Sequence, residues 1–147
     1  MKYYTLELLG LCQKLDNTEA YNEWERRSRQ YGDEFQKCRK RLPENLLRVL
    51  DESFFHDSQI LSFQLNKVDD KSMDAMLQLS GYNVKGTLIH QEVEALNMDF
   101  RRDNMPISEY LYGEILWDEQ GFWTHDFIFT DSNEIHIQCK QLKWVSE

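Results

Sequence analysis

Near residue 55 the hydrophobic period of this chain changes, and no other feature restricts its fold as much. Before that point apolar side chains recur every three or four residues; after it they mostly alternate with polar ones. The first pattern is that of an amphipathic helix, the second that of a half-buried strand. The stretch 53–65 therefore reads as a hinge, with Phe54 and Phe55 closing the last helix against the first strand. No helical pattern recurs between the strands, so parallel βαβ units are excluded. The expected fold is α+β. About three N-terminal helices (residues 1–53) pack on one face of a roughly six-stranded antiparallel meander (residues 54–147), all within one domain spanning 1–147.

Tyr4, Leu8, Leu11 and Leu15 place a short helix over about 5–15, which Gly10 weakens. Asp16, Asn17 and Thr18 offer a stop and a new N-cap. The second helix carries one long stripe: Tyr21, Trp24, Ser28, Tyr31, Phe35, Cys38 and Leu42. A seam so rich in aromatic rings favours packing inside one domain over a coiled-coil dimer. Trp24, Tyr31, Phe35, Leu46 and Leu50 are expected to be buried against the sheet. The basic residues of this helix mostly follow an acid by four positions (Glu23 and Arg27, Glu25 and Arg29, Asp33 and Lys37), which reads as a solvated face, not as a phosphate-binding stripe. Pro43 opens a third helix bearing Leu46, Leu47 and Leu50.

In the second part, Leu61, Phe63 and Leu65 alternate, then Met73, Ala75, Leu77 and Leu79, giving a hairpin around a polar turn at 66–72. A long third strand over 87–100 needs a bulge, because Ile89, Val93 and Ala95 give way to Leu96, Met98 and Phe100. A loop over 101–108 follows, then strands over 110–117, 122–129 and 134–142, joined by tight turns.

The net charge of −9 is unevenly placed. Residues 1–53 hold 10 Lys+Arg and 10 Asp+Glu, whereas residues 54–147 hold 7 and 16. An acidic sheet repels phosphate backbones and draws basic partners, which argues against nucleic acid. No stretch is apolar enough for a membrane span or a secretion signal, so the expected address is the cytoplasm and no membrane is involved. The three cysteines (Cys12, Cys38 and Cys139) form no CxxC pair, and they read as reduced, small hydrophobic residues rather than zinc ligands or a disulfide framework.

Two His-Asp steps occur, His56-Asp57 and His125-Asp126. They are the candidates for a metal-dependent hydrolase. That chemistry needs further ligands, and the helical part has no histidine. Neighbours on a strand also point to opposite faces, so Asp57 reads as a cap for a nearby backbone N–H. His90 and His136 lie mid-strand, Glu92 and Glu94 read as a solvated edge, and the dispersed glycines make no phosphate loop. No cofactor or metal is implied. The clearest partner-binding candidates are the aromatic residues Tyr110, Tyr112, Trp117 and Trp123 around one hairpin, with Asp118, Glu119 and Asp126 beside them.

The opening Met1-Lys2-Tyr3-Tyr4-Thr5-Leu6-Glu7-Leu8 and the strand start Phe55-His56-Asp57-Ser58-Gln59-Ile60 resemble a group of small bacterial proteins of unknown function. The His-Asp-x-x-Ile strand start is also similar to that of some toxin-immunity proteins. That resemblance implies a non-catalytic protein that binds and neutralises a toxin domain inside the producing cell, but it implies no site residue. The expectation is therefore a monomer or weak homodimer that engages a basic toxin or nuclease domain through its acidic sheet. The alternatives are the hydrolase and a structural module that self-associates through the second helix.

Overall fold

The computed structural model describes residues 1–14, 17–52, 55–82, 84–99, 109–130 and 133–147. Leu15, Asp16, Phe54, Phe100, the expected loop at 101–108 and most of the turn at 131–133 lie outside them. The fold is α+β. Helices α1 (Leu6–Cys12), α2 (Thr18–Cys38) and α3 (Glu44–Glu52) precede six strands, β1 (Ser58–Lys67), β2 (Met73–Ser80), β3 (Lys85–Asp99), β4 (Glu109–Trp117), β5 (Trp123–Phe129) and β6 (Glu134–Ser146). Thr5 caps α1 by accepting from Leu8 N, and Asn17 caps α2 by accepting from Ala20 N. The first helix has only 7 residues, so the helical part is smaller than its sequence suggests.

The strands are antiparallel throughout, but they do not form a simple meander. The order is β1-β2-β3-β6-β5-β4, closed into a barrel where Ser58 and Gln59 of β1 meet Tyr110 and Glu109 of β4. The two longest strands find each other: β3 pairs with β6 from Gly86↔Ser146 to Asp99↔Glu134, taking the place beside β3 that a meander gives to β4. Tight turns hold neighbouring strands together, whereas the long connection before β4 leaves that strand free to pair elsewhere. Closure removes most of the open edge that a meander would leave.

β3 and β6 bend at the same level. Leu88 and His90 point inward before the bend and Val93 after it; on β6, Ile135, Ile137 and Cys139 give way to Leu142 and Trp144. Glu92 takes φ 52 there, and a bulge follows between Val93 and Ala95. The two strands thus turn a corner from one layer of the barrel to the other. The expected bulge in β3 is present, and its role is to change which residues face inward.

β4 pairs with β1 over only two residues, and α2 runs along the rest of that edge. The Ile115 N–H donates to Tyr31 Oη at 2.9 Å, and Tyr31, Phe35, Cys38 and Leu42 are buried. The helical seam is thus packed inside the domain along most of its length. It opens at its start: Trp24 is half-buried and Tyr21 is 56% exposed. Leu46 and Leu50 of α3 are buried, and Asn45 Nδ2 donates to Trp144 O at 2.9 Å. On the solvent side Arg27 bonds Glu23 at 2.6 Å and Arg29 lies 3.9 Å from Glu25, but Lys37 pairs with Glu34 rather than with Asp33. Cys38 and Cys139 are buried and Cys12 half-buried, all three as free thiols. Among the described residues no helix is long and apolar enough to cross a membrane.

Candidate functional site

The β4–β5 hairpin does not present its aromatic residues as a patch. Alternation sends Tyr110 (0% exposed) and Trp123 (3%) into the barrel, so neither can touch a partner, contrary to the expectation from sequence. Trp117 is half-buried against Trp123, and the Arg41 guanidinium lies 4.9 Å from its ring centre. Asp118 organises the turn: its carboxylate accepts from Gln120 N and Phe122 N at 2.9 Å and from Gln138 Nε2 at 2.7 Å. Burial opposes its charge, but these donors outweigh burial and hold its pKa below the ordinary carboxylate value. Of the hairpin candidates only Glu119 is exposed. In the cleft of about 420 Å³ here, Glu34, Asp118 and Glu119 face Lys2, Lys37 and Arg41, so the local charges cancel. In this cleft, cations from the chain start and from the end of α2 thus offset the hairpin's acids.

Of the aromatic candidates, Trp117 lines that charged cleft and Tyr112 lines another, more apolar one. Its ring stacks on Tyr4 at 5.6 Å, with Trp24 and His56 each 4.8 Å away and roughly perpendicular. Trp24 also lies 4.9 Å from Tyr4. A cleft of about 310 Å³ opens beside this cluster, lined by Leu9, Cys12, Tyr21, Trp24, Leu111 and Tyr112. A second cleft of about 430 Å³ lies between α1 and α2; its acids are Glu7, Glu19 and Glu23, and its one base is Arg27. The sequence stripe on α2 contained Tyr21 and Trp24 but did not show that its first turn stays open.

The chain is strained where it enters the barrel. Phe55 has φ 62 and Asp57 φ 60, a region that costs non-glycine residues roughly 1–3 kcal/mol each. The contortion buries Phe55 between Tyr110 and Trp144, with ring centres 5.8 and 5.5 Å away, and turns His56 out onto Tyr112. The Asp57 carboxylate does not cap the sheet as expected. It bonds His56 Nδ1 at 2.8 Å, while the Asp57 N–H donates to Tyr110 O at 3.0 Å. Asp57 also raises the Tyr112 pKa, after burial.

The second His-Asp step is split by the sheet. His125 lies inside the barrel at 0% exposure, and Asp126 lies outside, 2.7 Å from His136 Nδ1. β5 neighbours β4 and β6, not β1, so His56-Asp57 and His125-Asp126 form no joint site. Among the described residues no group of three or more His, Cys, Asp or Glu is placed to hold a metal ion.

Inside, His125 belongs to a hydrogen-bonded chain. Tyr110 Oη lies 3.1 Å from His125 Nε2, His125 Nδ1 lies 2.8 Å from His90 Nε2, and His90 Nδ1 lies 3.3 Å from Ala75 O. Burial pushes the Tyr110 pKa well up and that of His90 down to about 4. Burial, then His90 and His136, push His125 well below its ordinary value.

Outside, Glu114 is 1% exposed and accepts three backbone N–H bonds from the chain start: Lys2 at 2.9 Å, Tyr3 at 2.7 Å and Tyr4 at 2.6 Å. This clasp places Tyr4 against Tyr112 and so builds one wall of the aromatic cluster. Nothing in the sequence pairs Glu114 with residues more than a hundred positions away.

Compared with known proteins, the chain matches no family model and no curated sequence.

Proposed function

We propose that this chain is a non-catalytic binding protein of the immunity type, which holds a basic toxin or nuclease domain at the α1–α2 end of the molecule. The observation that carries the reading is the aromatic cluster around Tyr112, open to solvent at Tyr21 and Trp24. Large rings beside a cleft of mixed lining supply the desolvated anchors that dominate binding energy in protein interfaces. The neighbouring α1–α2 cleft has two more acids than bases, and residues 54–147 add the chain's excess of negative charge. Both favour a basic partner and a fast, salt-sensitive encounter. The contact surface thus moves from the hairpin to the helical end, and of the hairpin candidates only Tyr112 belongs to it.

The test is capture of a partner from the producing cell, followed by affinity measurements on the purified pair. Tyr21→Ala, at an exposed position, should weaken binding by at least about tenfold, in the range of an aromatic anchor. Raised salt should slow association, and charge reversal at Glu119 should change little. Absence of any basic partner, or a complex indifferent to Tyr21→Ala, would refute the reading.

A further inference from the structure

Two imidazoles touch at the centre of the barrel, and neither is bonded to a carboxylate. The direction of every proton along their chain follows from its last member. The Ala75 carbonyl can only accept, so His90 Nδ1 carries a hydrogen. In the neutral ring His90 Nε2 is then a bare acceptor, so His125 Nδ1 donates to it, and His125 Nε2 is left to accept from the Tyr110 hydroxyl. Four strands are joined in this way: β4 through Tyr110, β5 through His125, β3 through His90 and β2 through Ala75. The 2.8 Å link between the imidazoles bridges the two layers of the barrel.

We propose that this chain is an acid-operated lock, in which uptake of a proton by the His90–His125 pair releases the two layers of the barrel from each other. A proton on His90 Nε2 would face the His125 Nδ1–H head on. A proton on His125 Nε2 could be accepted only if the Tyr110 hydroxyl turned its own hydrogen away from the imidazole. Either way the positive charge would meet no carboxylate inside the barrel among the described residues. The titratable groups around the pair lie on β4, β5 and β6. Tyr110 and Cys139 face the interior, and burial drives both pKa values up, that of Cys139 to about 12. Glu114 and Asp126, whose charges reach Tyr110, lie on the outer face and are engaged by Lys2–Tyr4 and by His136. His136, also outside, adds a repulsion that keeps His125 neutral.

The sign is that of a group held neutral by folding. The unfolded imidazole titrates near 6.5 and His90 in the barrel at about 4, so stability is complete above pH 6.5 and falls as pH drops toward 4. Between pH 7.5 and 5 His90 by itself lowers the folding constant by roughly thirtyfold, and His125 acts in the same direction.

Urea unfolding at those two pH values tests this. The wild-type chain should lose more than about thirtyfold in folding constant. His90→Gln, whose amide can accept from His125 and donate to Ala75, should reduce the loss by about that factor, and His136→Gln should not. A wild-type loss below about threefold, or an equal loss in His90→Gln, overturns the lock. If His90→Gln does not fold, ring ¹⁵N spectra of the wild-type protein at pH 7 decide. Nδ1–H tautomers at both His90 and His125 support the proposal, and an Nε2–H or imidazolium form at either one refutes it.

Discussion

The two faces of the β4–β5 hairpin take polar groups out of water by opposite means. On the inner face Tyr110 and His125 form a neutral chain that ends on a backbone carbonyl, and Gly113 leaves the space that the Tyr110 hydroxyl fills. On the outer face Glu114, equally buried, is a carboxylate served by three backbone N–H donors, and Asp126 bonds His136. Burial is alike and chemistry is not, so the local supply of donors decides. Backbone N–H groups of a fixed segment can satisfy an anion, whereas the inner chain is built from a carbonyl, a hydroxyl and two imidazoles. The same contrast sets the two buried-face histidines against His136, whose bond to Asp126 raises its pKa.

The sharpest way to break the inner arrangement is Gly113→Ala. A methyl group there overlaps Tyr110 Oη and comes within 3.2 Å of Asp126 O. Overpacking and the lost bond to His125 should together cost about 4 kcal/mol in urea unfolding. Adding Tyr110→Phe should recover only part of that, since the ring itself also crowds the site. Should Gly113→Ala prove neutral, the tight seating of Tyr110 is wrong.

The outer clasp comes next. Glu114→Gln replaces an anion that accepts three N–H bonds by an amide that turns donors toward some of them, with an expected loss of about 3 kcal/mol. Because the clasp carries Tyr4, this variant should also change the fluorescence of Trp24. Retained stability together with unchanged fluorescence would show that the chain start is held by its side chains instead.

The smallest effect belongs to Asp126→Asn. His136 should lose its raised pKa in an NMR titration and return toward about 6.5. The folded state raises this pKa, so the pair adds stability that is complete below the unfolded value near 6.5 and fades as pH rises through the folded one. With His136 36% exposed, the pair is worth less than about 1 kcal/mol. The acid response of His136 thus runs opposite to that of His90 and His125. An Asp126→Asn variant that titrates like the wild type would place the cause elsewhere.

Much of the architecture was legible as period. The stripe on α2, the alternation of Ala75, Leu77 and Leu79 and the need for a bulge in β3 are properties of short windows. Burial follows the stripe from Tyr31 to Leu42 and the β2 alternation, but Tyr21 stays exposed. So do Leu61 and Leu65 of β1, contrary to expectation, where Ile60 is buried instead. The candidate site was legible only in fragments. Alternation cannot say which of two sets faces inward, so Tyr110 and Trp123 looked as available as Tyr112. Likewise His56-Asp57 looked like a strand, but two residues with positive φ make it a turn.

The sequence alone determined the helix-to-strand switch, the local hairpins and the charge imbalance, because each depends on residues within about one element of one another. Tertiary structure decided the pairing of β3 with β6, the closure of β1 on β4, the clasp of Glu114 on residues 2–4 and the contact of His90 with His125. These join residues 35 to 112 positions apart where side-chain contacts make them. No local pattern encodes such partners, since they are chosen by which closed arrangement leaves the fewest buried donors and acceptors unmatched.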